Sequence, residues 1–181
     1  MRVNLLAKRY AQALFTLSLE MKQEEKVAAD MRLVGKVLYE NRELRRLMAN
    51  PVLQDDKKVN ILQKLFKKKT TPLTLRFFSL LIRKRREVYL ENICQAFEDI
   101  YLDFKNVVKA ELVTATGSDE KIRKQVIEKL KAITDKKIEL EDIRDEEIIG
   151  GFIARLGDYQ YDASVATQLR KLRKNYAEKL N

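Results

Sequence analysis

Along the first hundred residues, apolar side chains recur every three or four positions, the period that gathers them on one face of a helix. The spacing predicts a first helix over Leu5–Leu19 and a second over Glu24–Tyr39, with Val27, Met31, Val34 and Leu38 on one face. A short third helix carries Leu44, Leu47 and Met48 and stops at Asn50-Pro51, because the residue before a proline is pushed out of the helical region. Asp55 or Asp56 can cap a fourth helix bearing Val59, Leu62, Leu65 and Phe66. Thr71-Pro72 reads as an N-cap followed by proline at the first helical position, opening a fifth helix that runs through Arg83–Arg86. Leu90, Ile93, Phe97, Ile100, Tyr101 and Phe104 mark a sixth.

From Val107 the period shortens to two. Val108, Ala110, Leu112 and Thr114 alternate with Lys109, Glu111 and Val113, as on a strand with a buried face. Ser118 can cap a helix with Asp119 and Glu120 in its first turn. Ile138, Leu140 and Ile143 suggest a second strand and Ile148–Leu156 a third, which Gly157-Asp158 can turn back into Tyr159-Gln160-Tyr161. Asp162 is placed to cap a last helix with Val165, Leu169, Leu172, Tyr176 and Leu180 at helical spacing. The expected fold is mainly α: a six-helix bundle over residues 1–105, followed by a small α/β domain over 106–181.

Composition sharpens that division. Five Gly and two Pro in 181 residues leave too few turn-formers for a sandwich or barrel, and four of the five glycines lie beyond residue 116. Residues 1–105 hold 22 Lys and Arg against 13 Asp and Glu, while 106–181 hold 15 against 14, so nearly all of the +10 charge sits on the first part. That excess points to acidic partners: nucleic acid, an anionic surface or acidic protein. The chain has no His and a single Cys94, which excludes imidazole catalysis, zinc fingers and intramolecular disulfides. Cys94 reads as a structural thiol. Gly150-Gly151 is not followed by a phosphate-binding Lys-Ser/Thr, and Gly157 completes no dinucleotide fingerprint, so no cofactor is expected. Phe77–Ile82, the longest apolar run, is far short of a membrane span and ends in basic residues, and no signal-peptide pattern begins the chain. The expectation is a protein of the cytosolic compartment.

Two helices carry more apolar surface than one core should absorb. On a helical wheel the apolar residues of the first helix span roughly 200° and those of the fifth roughly 220°, where a surface helix needs about 100°. Either both helices are central and enclosed by their neighbours, or they lie side by side and leave a groove for a partner's amphipathic helix. A membrane-surface helix fits less well, since the polar side of the first helix holds only Lys8, Arg9, Gln12 and Thr16. The runs Lys67–Lys69, Arg83–Arg86 and Arg170–Lys174 suit solvated helix surfaces. They lack interleaved aromatics, although a basic nucleic-acid-binding protein with salt-dependent affinity remains the alternative on charge alone. Asp135–Glu147 is rich in carboxylates without an apolar pocket, so it does not suggest an enzyme.

Arg9-Tyr10-Ala11-Gln12-Ala13-Leu14-Phe15, Asn50-Pro51 ahead of a Lys-rich helix, Leu80–Arg86, Ile148-Ile149-Gly150-Gly151-Phe152, Gly157-Asp158 and Asp162-Ala163-Ser164-Val165 occur in one order. Together they resemble the δ subunit family of F-type proton-translocating ATP synthases, whose mitochondrial counterpart is the oligomycin-sensitivity-conferring protein. The resemblance implies a non-catalytic stator subunit that links the α3β3 head to the peripheral stalk, so that rotation is coupled to ATP synthesis. It implies that the first domain receives the N-terminal helix of an α subunit between its first and fifth helices. Ala7, Tyr10, Ala11 and Leu14 then face Phe78, Leu81 and Ile82 as candidate contacts. The second domain is implied to hold the C-terminus of the b subunit, with Gly150 and Gly151 serving a strand bend or close backbone approach. No nucleic acid is implied, membrane contact comes only through the complex, and the place is the cytoplasmic face of a bacterial membrane. Ala163 departs from the family's usual glycine, and Asp145-Glu146-Glu147 stands where proline or serine is common.

Overall fold

The computed structural model describes residues 2–179 except Thr116, Ser118, Glu146 and Asp158, with the backbone alone at 2–4 and 174–179. Among the described residues the chain is mainly helical, with eight α-helices, one 3-10 turn and a four-stranded sheet. It divides into two compact units, Met1–Phe104 and Lys105–Asn181.

The first unit comprises α1 (Arg2–Glu20), α2 (Glu24–Glu40), α3 (Arg42–Ala49), α4 (Asp55–Phe66), α5 (Pro72–Arg83) and α6 (Leu90–Phe104). Their apolar faces meet in one cluster, from Ala7 on α1 to Phe97 on α6. α6 packs along both α1 and α2, and α5 packs on α4. Phe15 meets Phe97 and Phe104 edge to face at centroid distances of 5.8 and 5.4 Å, arrangements that favour aromatic pairs beyond simple burial. At Gly35 of α2, a Cβ would lie 3.2 Å from the Cβ of Cys94 on α6, so the missing side chain permits the close approach of these helices. Cys94 is buried, and that burial, with the Glu91 charge adding to it, pushes its thiol pKa up, which keeps it protonated and unreactive.

The start of α5 follows its local sequence. Thr71 is the N-cap, its Oγ1 accepting from the Thr74 N–H at 3.3 Å, and Pro72 occupies the first turn. Asp30 of α2 fixes that start from outside. Its Oδ2 accepts from the Thr71 N–H at 2.7 Å, the Thr71 hydroxyl at 2.8 Å and the Thr74 hydroxyl at 2.7 Å. The other end differs from the expected continuation through Arg86. α5 stops at Arg83, and Arg85 takes a left-handed φ of 54°. The Arg85 N–H donates to the Ile82 carbonyl and the Arg86 N–H to that of Leu81, both at 2.8 Å, the paired bonds of a Schellman ending. A 3-10 turn over Glu87–Tyr89 then leads into α6. Gln54, not Asp55 or Asp56, precedes α4, and it makes no side-chain cap; the two aspartates lie in the first turn, where they oppose the positive end of the helix.

In the second unit, β1 (Val107–Thr114) and β2 (Lys137–Arg144) pair in parallel on either side of α7 (Glu120–Lys131) in sequence. β3 (Phe152–Leu156) pairs antiparallel with β1, and β4 (Tyr159–Asp162) with β3, giving the order β2-β1-β3-β4. Alternation puts Ala110, Leu112, Ala154 and Leu156 on one face, where Val126 and Leu130 of α7 cover them. The expected cap Ser118 lies outside the described residues, as do Asp158 of the hairpin turn and the side chains of Tyr176 and Leu180.

β3 begins at Phe152 rather than Ile148 because the preceding glycines belong to a junction. Gly151 has φ 80°, and a Cβ there would lie 2.4 Å from the Ala163 carbonyl oxygen, so backbone passes against backbone. The Val165 N–H donates to the Gly150 carbonyl at 3.0 Å, and the Ala163 N–H to that of Phe152 at 2.9 Å. This joins the entrance of β3 to the start of α8 (Val165–Lys179). Ser164, not Asp162, caps that helix: its Oγ accepts from the Thr167 N–H at 3.3 Å. Asp162 supports the cap instead, accepting from the Ser164 N–H at 2.9 Å and the Thr167 hydroxyl at 2.8 Å. Bonding to Ser164 foremost holds its carboxyl below the ordinary value.

Candidate functional site

The excess apolar surface on α1 resolves into two faces. Ala7, Ala11, Leu14, Phe15 and Ser18 are buried, and the helix packed along α1 is α6 of the same unit. The outer face keeps Leu5 at 73% exposure and Leu17 at 39%, with Ala13 exposed and Leu6 and Tyr10 half-buried. On α5, Phe77, Phe78, Leu81 and Ile82 are buried, while Leu80 is 45% exposed beside Arg76 and Arg83.

The seven expected contact residues therefore belong to one cluster and divide unequally. Ala7, Ala11, Leu14, Phe78, Leu81 and Ile82 are buried in it, with almost no area left to offer, and Tyr10 packs at its edge. A wheel finds which positions are apolar, but it cannot tell which of them the chain's own neighbours will cover. What stays open is a cleft of about 510 Å³ lined by Leu5, Leu6, Arg9, Tyr10, Ala13 and Arg86. Five of these come from the outer face of α1, at i, i+1, i+4, i+5 and i+8 from Leu5, and the sixth follows α5. The left-handed Arg85 reverses the chain there, at a cost of about 1–2 kcal/mol for a non-glycine residue.

Two smaller features flank α1 and α4. A cleft of about 250 Å³ between α1 and α6 is lined by Ala7, Lys8, Glu91, Asn92, Gln95, Ala96 and Asp99, mostly polar. Lys64 and Lys67–Lys69 line another, of about 470 Å³, at the C-terminal end of α4, where cations oppose the negative end of the helix. Among the described residues no group of three His, Cys, Asp or Glu could hold a metal ion, and no helix is long and apolar enough to cross a membrane. On α8, Val165, Leu169 and Leu172 leave 38%, 53% and 52% of their surface exposed in one stripe, beside Arg170, Lys171 and Arg173.

A helical unit with an apolar cleft along its first helix, followed by a small mixed unit with an exposed apolar stripe on its last helix, has the features of a binding protein. Family comparison makes this specific: residues 6–176 match the family described as ATP synthase delta (OSCP) subunit, and the chain belongs to that family. It is 34% identical over 168 residues to ATP synthase subunit delta of Gloeothece citriformis, covering 92% of this chain and 91% of that one. It is 32% identical over 178 residues to the subunit delta of Parabacteroides distasonis, covering 98% and 99%. Among solved structures it is similar to a chain of the Toxoplasma gondii mitochondrial ATP synthase hexamer, with a TM-score of 0.70 and 27% identity over 95% of this chain and 97% of that one. By family it is a non-catalytic subunit of ATP synthase.

Proposed function

We propose that this chain is a stator link of an F-type ATP synthase, at the cytoplasmic face of a bacterial membrane. On this reading α1–α6 act as a six-helix bundle that binds the α3β3 head through the N-terminal helix of an α subunit. The unit beyond residue 105 holds the C-terminus of the b subunit, with the stripe of Val165, Leu169 and Leu172 as its candidate surface. The observation that supports the reading most directly is the cleft along the outer face of α1, which Arg86 also lines. Its contacts are Leu5, Leu6, Tyr10 and Ala13, and the small buried residues Ala7 and Ala11 form the layer beneath them.

Laying about 400 Å² of apolar helix surface into such a groove contributes about 10 kcal/mol before association costs of similar size are subtracted. Titrating the full chain with a peptide from the N-terminus of the cognate α subunit tests this by calorimetry. Absence of saturable binding at micromolar concentrations sinks the groove assignment.

A further inference from the structure

The cleft is apolar along its floor, yet two guanidinium groups stand at it. Arg9 and Arg86 are exposed and both line it. Neither side chain forms a hydrogen bond or ion pair among the described residues, unlike Arg32 and Arg45 of the same unit. Arg32 is held by Glu98 at 2.7 Å and lies over the ring of Tyr101, and Arg45 donates to the carbonyls of Leu38 and Tyr39. No acid nearby in sequence is free to neutralise the pair. Glu20, at the far end, is the sole acid of α1, and Glu87, next to Arg86, is buried against Lys58.

Resting on the stator reading above, we propose that the occupant of this cleft is an amphipathic helix whose apolar stripe is bordered by carboxylates that pair with Arg9 and Arg86. Apolar contacts along Leu5, Leu6, Tyr10 and Ala13 hold such a helix. The two arginines choose which helix enters and in which register, because a planar guanidinium takes a carboxylate through two parallel hydrogen bonds. A helix with basic borders meets like charge on both sides and is rejected. The left-handed turn at Arg85 serves this arrangement by ending α5 where Arg86 can line the cleft with α1.

The test uses the full chain and two peptides: the N-terminal segment of the cognate α subunit, and the same peptide with every Asp and Glu replaced by Asn and Gln. The amide peptide should bind about three- to tenfold more weakly, with the loss mainly in association rate, and its affinity should hardly change with salt. Arg9→Gln with Arg86→Gln should impose the same loss on the native peptide and none on the amide peptide. Both arginines are exposed, so unchanged circular dichroism will show an intact fold, and Arg9→Glu with Arg86→Glu should recover affinity for a peptide carrying Lys at its acidic positions. Equal, salt-independent affinities across these pairs overturn the charge selection while leaving the groove reading intact. A DNA duplex that displaces the native peptide through the same arginines also overturns it, since phosphate would then be their ligand. Failure of both peptides to bind overturns the groove reading and this inference together.

Discussion

The two units hold their polar groups in opposite ways. In the helical unit two of the links between elements are buried. Lys58 of α4 lies between the Met48 carbonyl at 2.9 Å and Glu87 at 2.5 Å, and Asp30 binds the start of α5. In the mixed unit the charged pairs are at the surface: Arg123 with Asp142, and Arg155 with Glu111 at 3.6 Å across neighbouring strands. A helix satisfies its own backbone, so helices need side chains to fix how they sit against each other, whereas a sheet fixes its register through the backbone ladder. The first unit therefore depends on a few expensive side-chain contacts. The second depends on backbone geometry at its junctions.

Breaking Lys58 should have the largest effect. Removing one member of a buried ion pair strands the other, so Lys58→Ala should destabilise the helical unit by about 3–5 kcal/mol, read as a lower urea midpoint in helix signal. Replacing both, as Lys58→Met with Glu87→Leu, should recover most of that loss, because the apolar pair carries no desolvation cost. A single substitution costing under about 1 kcal/mol would show that water reaches the pair.

The matching break in the mixed unit is Gly151→Ala. It adds a Cβ within 2.4 Å of backbone at a positive φ, and a loss of more than about 2 kcal/mol is expected, confined to amide exchange in β3, β4 and the start of α8. If exchange in α1–α6 rises equally, the two units are not separately stabilised as the comparison requires.

A smaller effect sharpens the contrast through pH. The folded carboxyl of Asp162 has its pKa lowered, so its contribution is present above the unfolded value and is lost as pH falls through the folded one. Asp162→Asn should therefore weaken the mixed unit at neutral pH, with the difference from wild type shrinking as the solution is acidified. A difference that grows on acidification would have the wrong sign.

Much of this was legible in the residues. Thr71-Pro72 marked the start of α5 because an N-cap and a proline act locally, and the shift from a period of three or four to two near Val107 marked the change of architecture. The end of α5 was not legible, since a left-handed Arg85 has none of the glycine signature of such endings. Lys58 and Glu87 were hidden for another reason: within Asp55–Lys58 and Arg83–Glu87 both read as solvated charge, and only the fold brings them together across 29 positions. Gly150-Gly151 announced a special backbone, but not that Ala163 would be its neighbour. At the candidate site, the wheel shows the surplus apolar area on α1 but not which part of it the unit's own helices cover. Ala7, Ala11 and Leu14 are buried within the unit itself, and Leu5, Leu6 and Ala13 line the open cleft.

The contact of Asp30 with Thr71 and Thr74 has a kinetic consequence. It closes a loop of 41 residues, so the chain must order α2 and α5 before a single carboxylate can bridge them. A contact that closes so long a loop is expected to form after the folding transition state. Asp30→Ala should hardly slow refolding, yet it should speed unfolding, so that the carboxylate acts as a latch on the lifetime of the folded unit. In the stator role proposed above, that lifetime would count for more than the equilibrium population.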